Sequence, residues 1–99
     1  MYVGSLSLDL LLGDVRSLKA KRSVVRPIVA ELARRFPTAA VAEVDHLDLH
    51  RRAGLGVAVV APDPAHARSL LEACERLVSA RPEVELLSAR HQLWNNDAP

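Results

Sequence analysis

A single cysteine, Cys74, in 99 residues excludes an internal disulfide and any zinc site built on cysteine pairs. One Phe, one Tyr and one Trp are too few for a sheet that stacks bases on rows of aromatics, the mode by which RRM domains read single strands. No apolar run approaches the roughly 20 residues of a membrane-spanning helix. The N-terminus also lacks the basic start and apolar core of a signal peptide, so a cytoplasmic protein without membrane contact is expected. Charge of one sign does not dominate either: 13 basic side chains stand against 12 acidic ones, which excludes a uniformly basic nucleic-acid coat. Nucleophile-elbow, P-loop and dinucleotide-binding glycine patterns are missing, since Gly54-Leu55-Gly56 has neither the third glycine nor the strand-to-helix context. No cofactor is expected, and no motif argues for an enzyme.

What is present is periodicity. From Tyr2 to Leu12 the leucines fall on even positions and Ser5, Ser7 and Asp9 on odd ones, the alternation of a half-buried strand. Ser17 is an N-cap candidate for a helix through Arg35, whose Leu18, Val25, Ile28, Val29, Leu32 and Phe36 recur at helical spacing. Pro27 lies inside that pattern, which predicts one bent helix, because the stripe keeps its phase across the proline. Strands are expected over Thr38–Asp45 and Arg52–Ala61. Asp63 and Pro64 then supply an N-cap and first-turn proline for a helix through Arg81, with Cys74 as a buried thiol on its apolar stripe. A last strand runs from Val84 to Leu93. One domain over residues 1–94 and a flexible tail over 95–99 complete the reading.

The order βαββαβ and the right-handed crossover rule predict an α+β, ferredoxin-like sandwich: a four-stranded antiparallel sheet with both helices on one face. The other face stays open, free to meet a partner or a second copy. Its expected residues are Ser5, Ser7 and Asp9, then Glu43 and Asp45, then Gly54, Gly56 and Ala58, a small, acidic-to-neutral surface that repels phosphates.

The balanced charge hides an asymmetry, +4 over residues 1–36 and −3 over the rest. At about 100° per residue, Lys19, Arg22 and Arg26 share a narrow strip beside the apolar face of the first helix, with Arg16 just upstream. Cations there oppose the helix dipole, so stability alone does not favour them. Beside free backbone amides they suit phosphates or carboxylates. Arg16, Lys19, Lys21, Arg22 and Arg26 are therefore the candidate anion- or nucleic-acid-binding set, against the plainer reading of a solvated face with Asp14 as counterion. In an extended segment His46, Asp48 and His50 point to one side and match a two-histidine, one-carboxylate metal set. Three ligands in a row do not converge, so no metal is assigned, and a polar turn bonding its own backbone is preferred. Glu43, Asp45, His46 and Asp48 remain a possible polar site.

The segments Ser17-Leu-Lys-Ala-Lys-Arg-Ser-Val-Val-Arg26, Val41-Ala-Glu-Val-Asp-His46 with Asp48-Leu49, Gly56-Val-Ala-Val-Val60 and Glu83-Val-Glu-Leu-Leu87 resemble the YlxP-like bacterial proteins, domain of unknown function 503. The resemblance spans nearly the whole chain. It implies a ferredoxin-like fold and a cytoplasmic bacterial protein whose gene commonly neighbours those of a translation initiation factor and a ribosome-binding factor. Two positions depart from the pattern: Pro27 interrupts the first helix, and His50 stands where aromatics such as Trp are common. The expected function is an RNA-binding or ribosome-associated accessory protein, homodimeric, acting through the first helix. The alternative is a homodimeric protein–protein interaction module with no nucleic-acid role, followed by a metal-dependent enzyme using His46, Asp48 and His50.

Overall fold

The computed structural model describes residues 1–96. Its elements are β1 (Tyr2–Leu12), α1 (Leu18–Arg35), β2 (Ala40–Asp45), β3 (Arg52–Ala61), α2 (Pro64–Ser79) and β4 (Val84–Asn95). Both helices start where a side chain accepts from an otherwise unpaired amide: Ser17 Oγ from Ala20 N at 3.0 Å, and Asp63 Oδ1 from His66 N at 2.8 Å. α1 runs unbroken through Pro27. Arg81 from the α2–β4 connection donates to the Pro27 carbonyl at 3.3 Å and pairs with Glu31 at 3.1 Å, tying the second half of α1 to the start of β4.

The sheet order is β2-β3-β1-β4 with every neighbour antiparallel, the ferredoxin-like arrangement. Alternation along β1 sends Leu6, Leu8, Leu10 and Leu12 into the core, none more than 2% exposed. Leu55, Val57 and Val59 of β3 join them, with Val25, Ile28 and Leu32 of α1 above and Leu71, Cys74 and Val78 of α2 alongside. Each fully buried leucine or isoleucine contributes about 1.5–3 kcal/mol by leaving water, an upper range because unfolded chains are already partly collapsed. Desolvation holds the Cys74 thiol above its usual range, so it stays protonated and inert. Among the described residues no helix is long and apolar enough to cross a membrane.

Two expectations change. The tail does not begin at Asn95: Tyr2 pairs with Asn95, and Asn96 N donates to Met1 O at 3.1 Å, because β1 is long enough to offer partners that far. Residues 97–99 of the expected tail lie outside the described residues. The second change is one of facing. β2 carries an irregularity in which Glu43 sits opposite Leu55 and Asp45 opposite Gly54, leaving Val44 as an extra, bulged residue. Glu43 lies before the bulge and shares the inward phase of Val41, so it faces α1, while the bulge reverses the alternation after it and turns Asp45 to the open face, although both acids are expected outside from the sequence.

Gly54 permits this bulge. A methyl group there lies 2.6 Å from Asp45 Cβ and 3.2 Å from its Cα, whereas one at Gly56 meets only the Val44 side chain, at 3.1 Å, and Val44 is 60% exposed and free to turn away. Gly54→Ala is therefore expected to lower unfolding stability by about 1–3 kcal/mol in urea titrations, and Gly56→Ala by less than about 1 kcal/mol. Equal losses contradict the bulge geometry.

Candidate functional site

α1 sorts its basic residues by angle. Lys19, Arg22 and Arg26 are exposed and, among the described residues, have no ion pair. Arg16 is exposed with them but forms a surface pair with Asp14 at 3.2 Å, the counterion arrangement of the plainer reading. Lys21 leaves the set altogether: it is 2% exposed. Its ammonium meets Glu43 Oε2 at 2.8 Å and donates to the His46 carbonyl at 2.7 Å. The physical reason is phase. Residue 21 precedes Val25, Ile28 and Leu32 by four, seven and eleven positions, so it belongs to the buried stripe, and its charge needs acceptors inside the protein. That spacing was the available signal for a buried lysine.

The acceptors come from β2 and the turn after it. Asp45 Oδ1 accepts from His46 N at 2.8 Å, and His46 adopts a left-handed backbone with φ of 58°, where a side chain other than glycine is uncommon. Leu49 N closes the turn on His46 O at 3.0 Å. The one carbonyl thus accepts from both Leu49 and Lys21, which holds the strained residue in place. Because the chain turns at His46, the alternation that aligned His46, Asp48 and His50 is lost. Asp48 and His50 lie exposed on the turn, and among the described residues no three His, Cys, Asp or Glu side chains are grouped as metal ligands.

On the open face His46 Nε2 stands 3.4 Å from Asp9 Oδ1 and 3.4 Å from Arg52 Nη2, and Arg52 also pairs with Asp9 across the β1–β3 ladder. The Arg52 hydrogen bond is the main cause that holds the Asp9 carboxyl below its ordinary value, against a smaller opposing effect of burial; reciprocally, Asp9 raises Arg52. Asp9 and His46 edge a depression of about 500 Å³ floored by Gly54 and also lined by Ser7, Asp45, Ser88 and Arg90. Of the possible polar site, the structure brings Asp45 and His46 here, sends Glu43 to the helix side and leaves Asp48 on the turn. Asp9, Arg52 and Arg90 were not singled out in the sequence, because only cross-strand register brings them together. Ser7 and Ser88 are the hydroxyls in the depression, and among the described residues no hydrogen bond joins either to His46, so no nucleophile–base pair is assembled.

Two outcomes follow. Lys21→Met should cost about 2–3 kcal/mol in denaturant unfolding, because Glu43 is left without its partner yet keeps part of its hydration. Lys21→Met with Glu43→Leu should recover most of that loss, since the uncompensated charge is then gone; simple additivity argues against the pair. For Asp9, a lowered folded pKa means the contribution is fully present above the ordinary value of 3.8 and fades as pH falls through the folded value. Between about pH 5 and about pH 2 the parent chain should therefore lose more stability than Asp9→Asn, and parallel pH profiles speak against the assignment.

Comparison with known proteins supports the fold and supplies no activity. The structure of the chain is similar to the solution NMR structure of a de novo designed protein with ferredoxin fold, LFR1 1, at 14% identity and a TM-score of 0.51, covering 99% of this chain and 89% of the design. No curated protein matches significantly. Residues 3–91 match the profile of the family described as protein of unknown function (DUF503), so the match takes in both helices and all but the end of the sheet. With that span, the capped α1 and the ferredoxin-like topology, the chain belongs to the DUF503 family.

Proposed function

We propose that this protein is an RNA-binding, ribosome-associated accessory factor of the bacterial cytoplasm, and that it holds backbone phosphates with Lys19, Arg22 and Arg26 of α1. One observation carries the reading: three exposed cations share a strip of α1 and none is neutralised within the described residues, whereas Lys21 and Arg34 on the same helix have carboxylate partners. The first turn of α1 contains no acidic residue, so the free amides there add to the positive potential. Arg16, already beside Asp14, extends the strip at reduced charge. The opposite face of the sheet is unsuited to the task. Its central positions carry Ser5, Ser7, Asp9, Gly54, Gly56 and Ala58, which offer bases nothing to stack on.

The test is salt-dependent binding of a single-stranded RNA followed by fluorescence anisotropy, with gradient co-sedimentation on ribosomal subunits at low and high salt. Three phosphate contacts correspond to a slope of log affinity against log salt of about −2. Replacing Lys19, Arg22 and Arg26 together with alanine should weaken binding and flatten the slope, while the circular dichroism spectrum is retained. A triple variant that binds RNA and subunits as tightly as the parent chain overturns the proposal.

A further inference from the structure

We infer that the open face of the sheet is occupied by a second copy of this chain, stacked face to face about a two-fold axis that runs along the strands between β1 and β3. This does not rest on the RNA reading, because α1 lies on the opposite side of the sheet.

The face is self-complementary about that axis in shape. The rotation places β4 of one copy over β2 of the other and β1 over β3. The outward positions of β2 are small, Ala40 and Ala42, while those of β4 are larger, Gln92 and Trp94, and Trp94 is 48% exposed. β2 begins at Ala40, which pairs with Ala58, so it does not reach the row of Val3, Val60 and Trp94. The gap beyond its start gives the indole of the other copy a place to lie. In the middle, Ser5 and Ser7 of β1 oppose Ala58 and Gly56 of β3, so the two sheets can approach closely. At the other end Leu87, skipped by the β1–β4 register and 45% exposed, comes toward the end of β2 and the turn after it in the second copy, where Val44 and Leu47 are 60% and 59% exposed.

The charges are complementary about the same axis. Asp45 on β2 and Arg90 on β4 line opposite sides of one depression and stand one row apart along the strands, Asp45 in the row of Asp9 and Arg90 in that of Ser7. Asp9 and Arg52 already pair with each other within the chain. Arg90 has no ion pair among the described residues, and the side chain of Asp45 is 74% exposed. The rotation carries Arg90 of each copy to Asp45 of the other, giving two equivalent ion pairs. A four-stranded sheet of this length presents roughly 600 Å² in plan, before the relief of its side chains is counted. That approaches the ~800 Å² per partner of a standard interface.

Analytical ultracentrifugation of the full chain tests this. The parent should be a dimer at high micromolar concentration. Ala58→Glu, which places a carboxylate at the centre of the face at an exposed position, should raise the dissociation constant at least about tenfold with an unchanged circular dichroism spectrum. Arg90→Glu and Asp45→Arg each set like charges against one another twice and should weaken self-association about tenfold. Mixed together, these two variants should form a heterodimer tighter than either homodimer, since one ion pair then keeps its native polarity and the other is restored with reversed polarity. A parent that stays monomeric overturns the proposal, as does a dimer indifferent to Ala58→Glu. A mixture of folded charge variants that shows no preference for the heterodimer overturns it too; if Asp45→Arg unfolds, Ala58→Glu decides alone.

Discussion

An ammonium group on the buried stripe of α1 has to find acceptors before the helix can dock, and much of the domain is arranged around how Lys21 finds them. Glu43 supplies a carboxylate because it shares the inward phase of Val41 on β2, and His46 supplies a carbonyl because the chain turns there in a left-handed conformation. Shift β2 by one residue and the carboxylate faces away; straighten the turn and the carbonyl withdraws. The interaction therefore couples the position of a helix on one side of the sheet to the shape of a turn on the other. Such coupling is steep because a buried, unpartnered charge costs several kcal/mol while the satisfied pair adds little net stability.

The same arrangement divides the charges of the domain. The α1 side presents uncompensated cations, and the open face pairs Asp9 with Arg52 and keeps Asp45 and Arg90 apart. A small domain with a near-zero total can thus carry two surfaces of different character, one a strip of unpaired cations and one where acid and base share a rim. Two-fold stacking on the open face leaves both α1 strips outward, on opposite sides of the pair, where an extended ligand could bridge them or two ligands bind independently.

Much of the fold was legible because its signals are local. The leucine alternation of β1, the Ser17 and Asp63 caps and the stripe of α2 each occupy a few consecutive residues and need no knowledge of the rest of the chain. The candidate site was legible only in outline. Lys19, Arg22 and Arg26 follow from the helical angle, and so does Lys21 once its spacing to Val25 and Ile28 is weighed against its charge; composition pulled it to the surface and geometry returned it inside. Glu43 was misplaced because its charge outweighed the alternation it shares with Val41, whereas Asp45 reaches the open face through a bulge permitted by a glycine on a neighbouring strand, Gly54, that no window around Asp45 contains. Arg52 and Arg90 meet Asp9 and Ser7 only through register, which is a property of the paired strands and of no single one.

The bulge at Val44 acts on the strand as a frameshift acts on a message: every residue after it is read in the other phase. Two acids of the same parity, Glu43 and Asp45, end on opposite sides of one sheet, one neutralising a buried cation and the other displayed at the rim of the open face. A strand that paired residue 44 regularly, opposite Gly54, would keep the same composition, the same net charge and the same length. It would nevertheless turn Asp45 to the helix side, beside Glu43, and remove the acid from the outer rim. At this edge of the sheet the spacing between two residues carries information that neither residue carries alone.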